Sequence, residues 1–185
     1  MGCSNSTNTQ SYYVEQKNYE EICLEIHNKK RDIHGSPLLE INEQLCDLAK
    51  KCAVKLSKNE DKINYIYKDV FLGQNIYIYK GNNFRIRNIF NEWYKEINNY
   101  NFEQPGFTID SSHFTQIVWK ETTKVGCGAA LKDDDEKTYK VVCYYYKAGN
   151  ILNPEKFKAN VIEHSYNQII IMNYFSLILI LFYLF

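Results

Sequence analysis

The spacing of apolar residues predicts two helices in the first third of the chain. Between residues 19 and 33, apolar side chains recur three or four positions apart, and charged side chains fill the other faces. This is the period of a helix that buries one face. Gly35 and Pro37 end that helix. A second stripe begins at Ile41 and ends near Asn59. Both stripes predict core helices that carry no chemistry of their own.

The pattern changes to β-branched and aromatic residues between residues 61 and 80. The segment 74–79 alternates in the manner of a strand, and Gly81 ends it. Asn83 is predicted to cap a third helix that presents a single apolar face. The residues of that face are Ile86, Phe90, Trp93 and Ile97.

Two further strands are predicted over residues 123–131 and 138–146. The acidic run 133–136 between them is predicted to be a solvated turn. Helices that flank a short sheet indicate a single α/β domain, and 185 residues suffice for one buried core. Lys plus Arg and Asp plus Glu number 22 each. This balance argues against a nucleic-acid partner, which would favour a basic excess.

Both ends of the chain carry features typical of membrane attachment. Gly2 and Ser6 match the pattern for N-myristoylation, and Cys3 beside them is a candidate for palmitoylation. The alternative is a polar start without lipid. Residues 169–185 contain no charged side chain, which fits either a tail anchor or a processed signal for a GPI anchor. We therefore expect an acylated flexible segment over 1–14, a folded domain over 15–162 and a hydrophobic tail over 163–185.

Three segments then carry a family resemblance. They are Ser112–Trp119 (SHFTQIVW), Val142–Asn150 (VCYYYKAGN) and Trp93–Phe107 (WYKEINNYNFEQPGF). They resemble signatures of the CAP superfamily, which groups cysteine-rich secretory proteins, antigen 5 and pathogenesis-related protein 1. The third segment is similar to the Golgi-associated branch of that superfamily. The resemblance covers residues 17 to 162 and implies an α-β-α sandwich with a short, mainly antiparallel sheet between helices.

The resemblance also implies a cleft that in many members carries two histidines and two glutamates and sometimes holds zinc. His113 and Glu96 match the second member of each pair. Gln74 stands where the first glutamate is expected, and Asn64 lies where the first histidine is expected. An amide is a poor zinc ligand, and a stable site needs three or four protein ligands. We therefore expect no metal and no other cofactor, with His113 and Glu96 hydrogen-bonded to each other.

The cysteines do not by themselves identify the cellular compartment of the protein. Three of the six lie on predicted helix faces, where we expect small buried hydrophobes: Cys23, Cys46 and Cys52. Cys127 and Cys143 fall on neighbouring predicted strands. They could bridge in an oxidising compartment if the strands bring them face to face, whereas a cytosolic chain keeps its thiols reduced.

The favoured hypothesis is a non-enzymatic, membrane-associated CAP domain that binds membrane lipid or a protein partner. We expect it on the cytosolic face of the Golgi or plasma membrane, and the resemblance implies a homodimer. One alternative is a protease-like hydrolase that uses the cleft around His113 and Glu96, with Ser111 and Ser112 close in sequence. The other is a secreted or GPI-linked protein, favoured if the tail is removed and Cys127 pairs with Cys143.

Overall fold

Five helices and six strands build the part of the chain that the computed structural model describes, residues 19–60, 66–132 and 135–163. The helices are α1 (Tyr19–Ile33), α2 (Glu43–Ser57), α3 (Ile86–Lys95), α4 (Ser112–Val118) and α5 (Pro154–Asn160). The strands are β1 (Glu40–Ile41), β2 (Ile66–Tyr67), β3 (Val70–Phe71), β4 (Gly73–Lys80), β5 (Lys124–Lys132) and β6 (Asp135–Tyr146).

The main sheet has the strand order β1-β5-β6-β4. β1 runs parallel to β5, while β5–β6 and β6–β4 are antiparallel. β2 and β3 form a separate antiparallel hairpin. The expected single-domain α/β fold with a mainly antiparallel sheet is confirmed.

Side chains alternate between the two faces of the sheet, and each face is covered by helices. Val142 and Tyr144 of β6 pack with Leu45 and Ala49 of α2. On the opposite face, Tyr145 belongs to a larger core that includes buried residues of α1, α3 and α4. The sheet is therefore the middle layer of an α-β-α sandwich.

Three predicted boundaries were wrong in detail. Ile41 belongs to β1, where it pairs with Val125, and not to the second helix. Asn83 does not cap α3, because the flanking residue is Arg85 and no side chain caps that end. The acidic turn is shorter than predicted, because β6 already begins at Asp135.

Several sequence predictions concern residues outside the described ranges. They are the acylation candidates Gly2 and Cys3, the cleft position Asn64 and the hydrophobic tail from residue 164 onward. Among helices of the described ranges, none has the length and apolar character needed to cross a bilayer.

Candidate functional site

The candidate site lies where the end of α3 meets the start of α4. Trp93 and Glu96 are three residues apart, a spacing that places both on one side of the helix end. The Trp93 ring is stacked against the His113 ring, with centroids 5.6 Å apart and planes 17° from parallel. His113 Nδ1 donates a hydrogen bond of 2.6 Å to Glu96 Oε1. Both side chains keep partial exposure, 31% for His113 and 20% for Glu96.

Glu96 also caps α4 from outside the helix. The first backbone N–H groups of a helix lack partners within it, and Ser111, at the capping position, makes no side-chain cap. Glu96 Oε2 instead accepts hydrogen bonds from the backbone nitrogens of His113 at 2.9 Å and Phe114 at 3.2 Å. A carboxylate is favourable at this end because it complements the helix dipole. Both oxygens of Glu96 are thus used to position α4.

A buried hydrogen-bonded chain supports the backbone of His113 from below. Asn75 Nδ2 donates to the His113 carbonyl oxygen at 3.1 Å and to Tyr145 Oη at 3.2 Å. His27 Nδ1 lies 2.7 Å from the Cys23 carbonyl oxygen, which can only accept, so Nδ1 carries the proton. His27 Nε2 then accepts from the Tyr145 hydroxyl at 2.9 Å.

Burial fixes the charge states in this chain. His27 is fully buried, and desolvation lowers the pKa of its imidazole to about 3. Burial raises the pKa of the Tyr145 hydroxyl well above its usual value. Both groups are therefore neutral at physiological pH, which agrees with the hydrogen-bond directions above. The chain acts as a fixed support for His113.

The two remaining positions of the expected cleft set are placed differently. Gln74 lies in β4 beside Asn75, but it is Asn75 whose side chain hydrogen-bonds at His113. Gln74 points to the other face of the strand by alternation, and its buried Nε2 has no hydrogen-bond partner within the described residues. Asn64 lies outside those residues.

The donor set does not fit the zinc centre that the family resemblance implies. Both Glu96 oxygens are engaged in protein hydrogen bonds, which leaves His113 Nε2, within the described residues, as the free donor atom of the pair. No cluster of three or more His, Cys, Asp or Glu side chains suited to a metal ion occurs in the described ranges. A closed zinc site needs about four ligands, and a catalytic one about three.

The hydroxyls nearest in sequence to His113 are turned toward backbone or other hydroxyls. Ser112 Oγ donates to the Ile109 carbonyl at 2.9 Å. Ser111 Oγ lies 2.6 Å from Thr108 Oγ1. His113 Nε2 makes no hydrogen bond within the described residues, so no hydroxyl there is paired with it as an activated nucleophile would be.

The cysteine pair on the sheet lies in direct register. Cys127 of β5 is opposite Cys143 of β6, and the two sulfurs are bonded in the structure. The other described cysteines, Cys23, Cys46 and Cys52, are free and buried as expected. Burial raises the pKa of the Cys46 thiol to about 11, which makes it unreactive.

Sequence reasoning missed the support residues Asn75, Tyr145 and His27. A signal was present for His27, since it follows Ile26 on the apolar stripe of α1 and is nevertheless polar. A polar residue on a core face must be hydrogen-bonded, so a buried partner could have been expected. Asn75 offered no such signal, because its partners lie 38 and 70 residues away.

Comparison with known proteins identifies the family to which a chain with this fold and site belongs. The sequence profile of the cysteine-rich secretory protein (CAP) family matches residues 24–145. The chain belongs to that family.

Individual relatives align with a larger part of the chain than the family profile does. The chain is 34% identical over 151 residues to the human Golgi-associated plant pathogenesis-related protein 1, covering 79% of this chain and 94% of that protein. It is 30% identical to Repressed by EFG1 protein 1 of Candida albicans, over 72% of this chain, and spans about half of that protein's length (48%). Among solved structures, Schistosoma mansoni venom allergen-like protein 4 is similar, with 28% identity, a TM-score of 0.57, and coverage of 71% and 88% of the two chains.

Proposed function

We propose that this protein is a non-enzymatic, membrane-associated CAP domain that acts by binding lipid or a protein partner. The main support for this proposal is that the Glu96 carboxylate is engaged in hydrogen bonds within the protein. Its carboxylate accepts three hydrogen bonds from the first turn of α4, two from backbone nitrogens and one from His113 Nδ1. A residue so engaged supports the fold and is not available as a metal ligand or a proton acceptor. We therefore infer that the cleft is a surface that binds lipid or a protein partner, and that the stacked rings of Trp93 and His113 shape it.

Membrane attachment is supported by the two ends of the sequence. Gly2 and Cys3 offer two acylation sites, and two acyl chains anchor a protein far more stably than one. The charge-free segment 169–185 would span about 25 Å as a helix. The name of the human relative places that protein at the Golgi. We infer attachment to the cytosolic face of the Golgi or the plasma membrane.

Cell fractionation tests this attachment. The variant Gly2→Ala should lose the myristate and bind membranes more weakly, while deletion of residues 165–185 removes the second anchor. The two changes together should release the protein into the soluble fraction. Cys3→Ser removes only the palmitate site, so it should keep the myristate and still weaken attachment. A double variant that still sediments with membranes in high salt would show that neither segment is the anchor.

A hydrolase is the second candidate function, favoured by one feature of His113. Its Nδ1 is held by a carboxylate, which leaves Nε2 oriented as in a general base. Zinc titration by calorimetry distinguishes the two proposals, with His113→Ala as the control. We expect no tight binding by the native chain. Tight binding that is lost in His113→Ala would show that the site holds a metal and would favour a metal-dependent hydrolase.

A secreted or GPI-linked protein is the third candidate, favoured by the register of Cys127 and Cys143. Their bond requires an oxidising compartment, whereas N-myristoylation occurs on chains made in the reducing cytosol. Peptide mapping of the native protein without reductant decides between the two locations. Free thiols at both positions together with acylated Gly2 would place the protein in the cytosol. A bonded pair and an unmodified N-terminus would place the protein outside the cytosol. A homodimer, implied by the family resemblance, is testable by light scattering on the same sample.

A further inference from the structure

Two neighbouring loops display large apolar side chains to solvent. Phe107 and Ile109 are 45% and 73% exposed, and Ile151 and Leu152 are 44% and 79% exposed. Isolated apolar residues on a surface are ordinary, but a contiguous set marks an interaction site. We refer to these four residues as the loop patch.

The first turn of α4 joins the two loops. Ser112 Oγ donates to the Ile109 carbonyl, and the Ser112 carbonyl accepts from Asn150 Nδ2 at 2.8 Å. Asn150 Oδ1 also accepts from Thr115 Oγ1 at 2.6 Å. Asn150 directly precedes Ile151 and Leu152, so Ser112 links the two halves of the loop patch.

The loops are held in place with their apolar residues exposed. Gly149 N donates to Gln116 Oε1 at 2.9 Å. At the other end of the loop, Asn153 Oδ1 caps α5 by accepting from Glu155 N at 2.9 Å. These hydrogen bonds on both sides fix Ile151 and Leu152 outward. Because these hydrogen bonds hold the side chains toward solvent, exposure of the loop patch is a property of the folded state.

The loop patch lies close to the point where the described chain leads into the hydrophobic tail. α5 begins at Pro154, two residues after Leu152, and its Phe157 ring lies 6.5 Å from the Phe107 ring, measured between centroids. A seven-residue helix advances the chain by only about 10 Å. The described chain continues three residues past α5 to residue 163, and the charge-free segment begins at residue 169.

We propose that the loop patch is the face that this domain lays against the lipid bilayer. Apolar side chains of a peripheral domain enter the headgroup and acyl boundary by about 5 to 10 Å. Charged residues of both signs flank the loop patch in sequence, with Asp110 and Glu155 matched by Lys147 and Lys156. A surface with balanced charge has no net attraction to an anionic bilayer, so the partner is a zwitterionic bilayer such as phosphatidylcholine. The inference rests on the proposed membrane association and adds the orientation of the domain.

Tryptophan fluorescence tests the contact directly. The chain has only two tryptophans, Trp93 and Trp119, and both are buried, at 1% and 0% exposure. A third one placed by Ile109→Trp or Leu152→Trp therefore reports the loop patch. Leu38→Trp is the matched control, because Leu38 is 62% exposed in the loop between α1 and β1. Each full-length variant is mixed with phosphatidylcholine vesicles whose acyl chains carry bromine, a short-range quencher.

Quenching identifies the face. We expect loss of most of the added emission from Ile109→Trp and Leu152→Trp, and little loss from Leu38→Trp. Equal quenching of all three would overturn the proposal, as would a blue-shifted but unquenched signal at position 109 or 152. The latter result means that the tail or a second copy of the chain covers the loop patch.

Vesicle flotation distinguishes a failure of this inference from a failure of the proposed membrane association. If the full chain does not float with vesicles, membrane association fails and the orientation fails with it. If it floats but the loop-patch tryptophans are unquenched, only the orientation is wrong. In a chain truncated after residue 163, Leu152→Asp should weaken vesicle binding by about tenfold or more. Leu38→Asp in the same background should leave it unchanged, and an equal effect of the two would overturn the proposal.

Discussion

The guanidinium of Arg31 organises the backbone that leads from α4 into β5. It is fully buried. Nε donates to the Pro37 carbonyl at 2.7 Å. Nη1 donates to the carbonyls of Ile117 at 3.0 Å and Trp119 at 2.8 Å. Nη2 donates to the Thr122 carbonyl at 2.9 Å. Burial lowers the pKa of Arg31 to about 10, so the group stays charged at neutral pH. One side chain therefore donates to four backbone carbonyls from two segments that lie far apart in sequence.

Replacement of Arg31 should be strongly destabilising. A lysine in its place has one ammonium group and cannot donate to all of these carbonyl oxygens. Each buried carbonyl left without a hydrogen bond costs about 1–3 kcal/mol. We expect Arg31→Lys to lower the free energy of unfolding by at least about 3 kcal/mol in urea denaturation. Arg87→Lys is the control, because Arg87 is half-exposed and its ion-pair partner among the described residues is Glu25 alone. Similar losses from the two variants would contradict the role of Arg31.

His27 gives the stability of the domain a defined pH dependence. Its pKa is lowered by burial from 6.5 to about 3. Between these values the unfolded chain binds a proton that the folded chain does not, so stability falls as the pH falls from 6.5 toward 3. Above pH 6.5 the contribution is fully retained. Its total size is on the order of 5 kcal/mol.

The measurement is the slope of unfolding free energy against pH. His27→Gln keeps a polar side chain that does not titrate, so its slope between pH 4 and 6 should be smaller by about 1.4 kcal/mol per pH unit. Parallel curves for the two proteins would mean that the protonation of His27 is not coupled to folding. Carboxylates contribute equally to both curves and therefore cancel in the comparison.

At the scale of elements, α2 lies directly against the backbone of β5. A Cβ atom added at Gly126 would come within 2.2 Å of Cys46 N, and one added at Gly128 within 2.4 Å of Lys50 N. These glycines face α2, which lies closer to the sheet than side chains would allow. The spacing of that helix layer is thus set by two residues without side chains.

Gly126→Ala should therefore force α2 away from the sheet. Overpacking of this kind typically costs about 1–3 kcal/mol, and here the obstacle is backbone, which cannot rotate away. Gly106→Ala provides a control, since no atom in the described part of the chain lies within 4 Å of its added Cβ. That change should stay within about 0.5 kcal/mol. Urea denaturation of both variants checks the difference, and equal stability would show that α2 shifts without cost.

The elements that the sequence predicted well are those with an unbroken period. α1, α2 and β4 bury one face along most of their length, so the period of apolar residues suffices. β5 and β6 are buried on both faces and are recognised instead as apolar runs bounded by polar turn residues. The start of α3 was misplaced because Asn83 offers a local cap signal. In the structure, however, burial of Ile86 and Phe90 accompanies a helix that begins after Arg85. Tertiary packing outweighed the local preference.

The candidate site was predicted only in part, for a different reason. His113 and Glu96 were identified from family motifs, and neither periodicity nor spacing would have joined them. Their 2.6 Å hydrogen bond depends on how α3 and α4 pack. Asn75 was passed over in favour of its neighbour Gln74, because the family resemblance fixed a position in the motif but not the face to which each side chain points.

At the scale of the whole molecule, the C-terminal boundary of the domain lies beyond α5. Phe157 is fully buried and Val161 is 4% exposed. The Phe157 ring lies 5.0 Å from the Trp119 ring, edge to face. His34 Nδ1 donates to the Ile162 carbonyl at 2.5 Å, because a carbonyl can only accept. The described chain thus contacts the core up to residue 162.

Two truncations test this boundary. A chain that stops after Glu163 should unfold cooperatively and with nearly native stability, because every contact above is kept. A chain that stops after Asn153 loses α5, and with it the Phe157 side chain that fills the space beside Trp119. Loss of a buried Phe alone costs about 3–5 kcal/mol, a large share of the 5–15 kcal/mol that stabilises a typical domain. Thermal unfolding followed by circular dichroism should therefore show one sharp transition for the longer chain and a broad or absent one for the shorter. If the longer chain also lost cooperativity, residues after 163 would belong to the folded core, and an anchoring role for the tail would have to be abandoned.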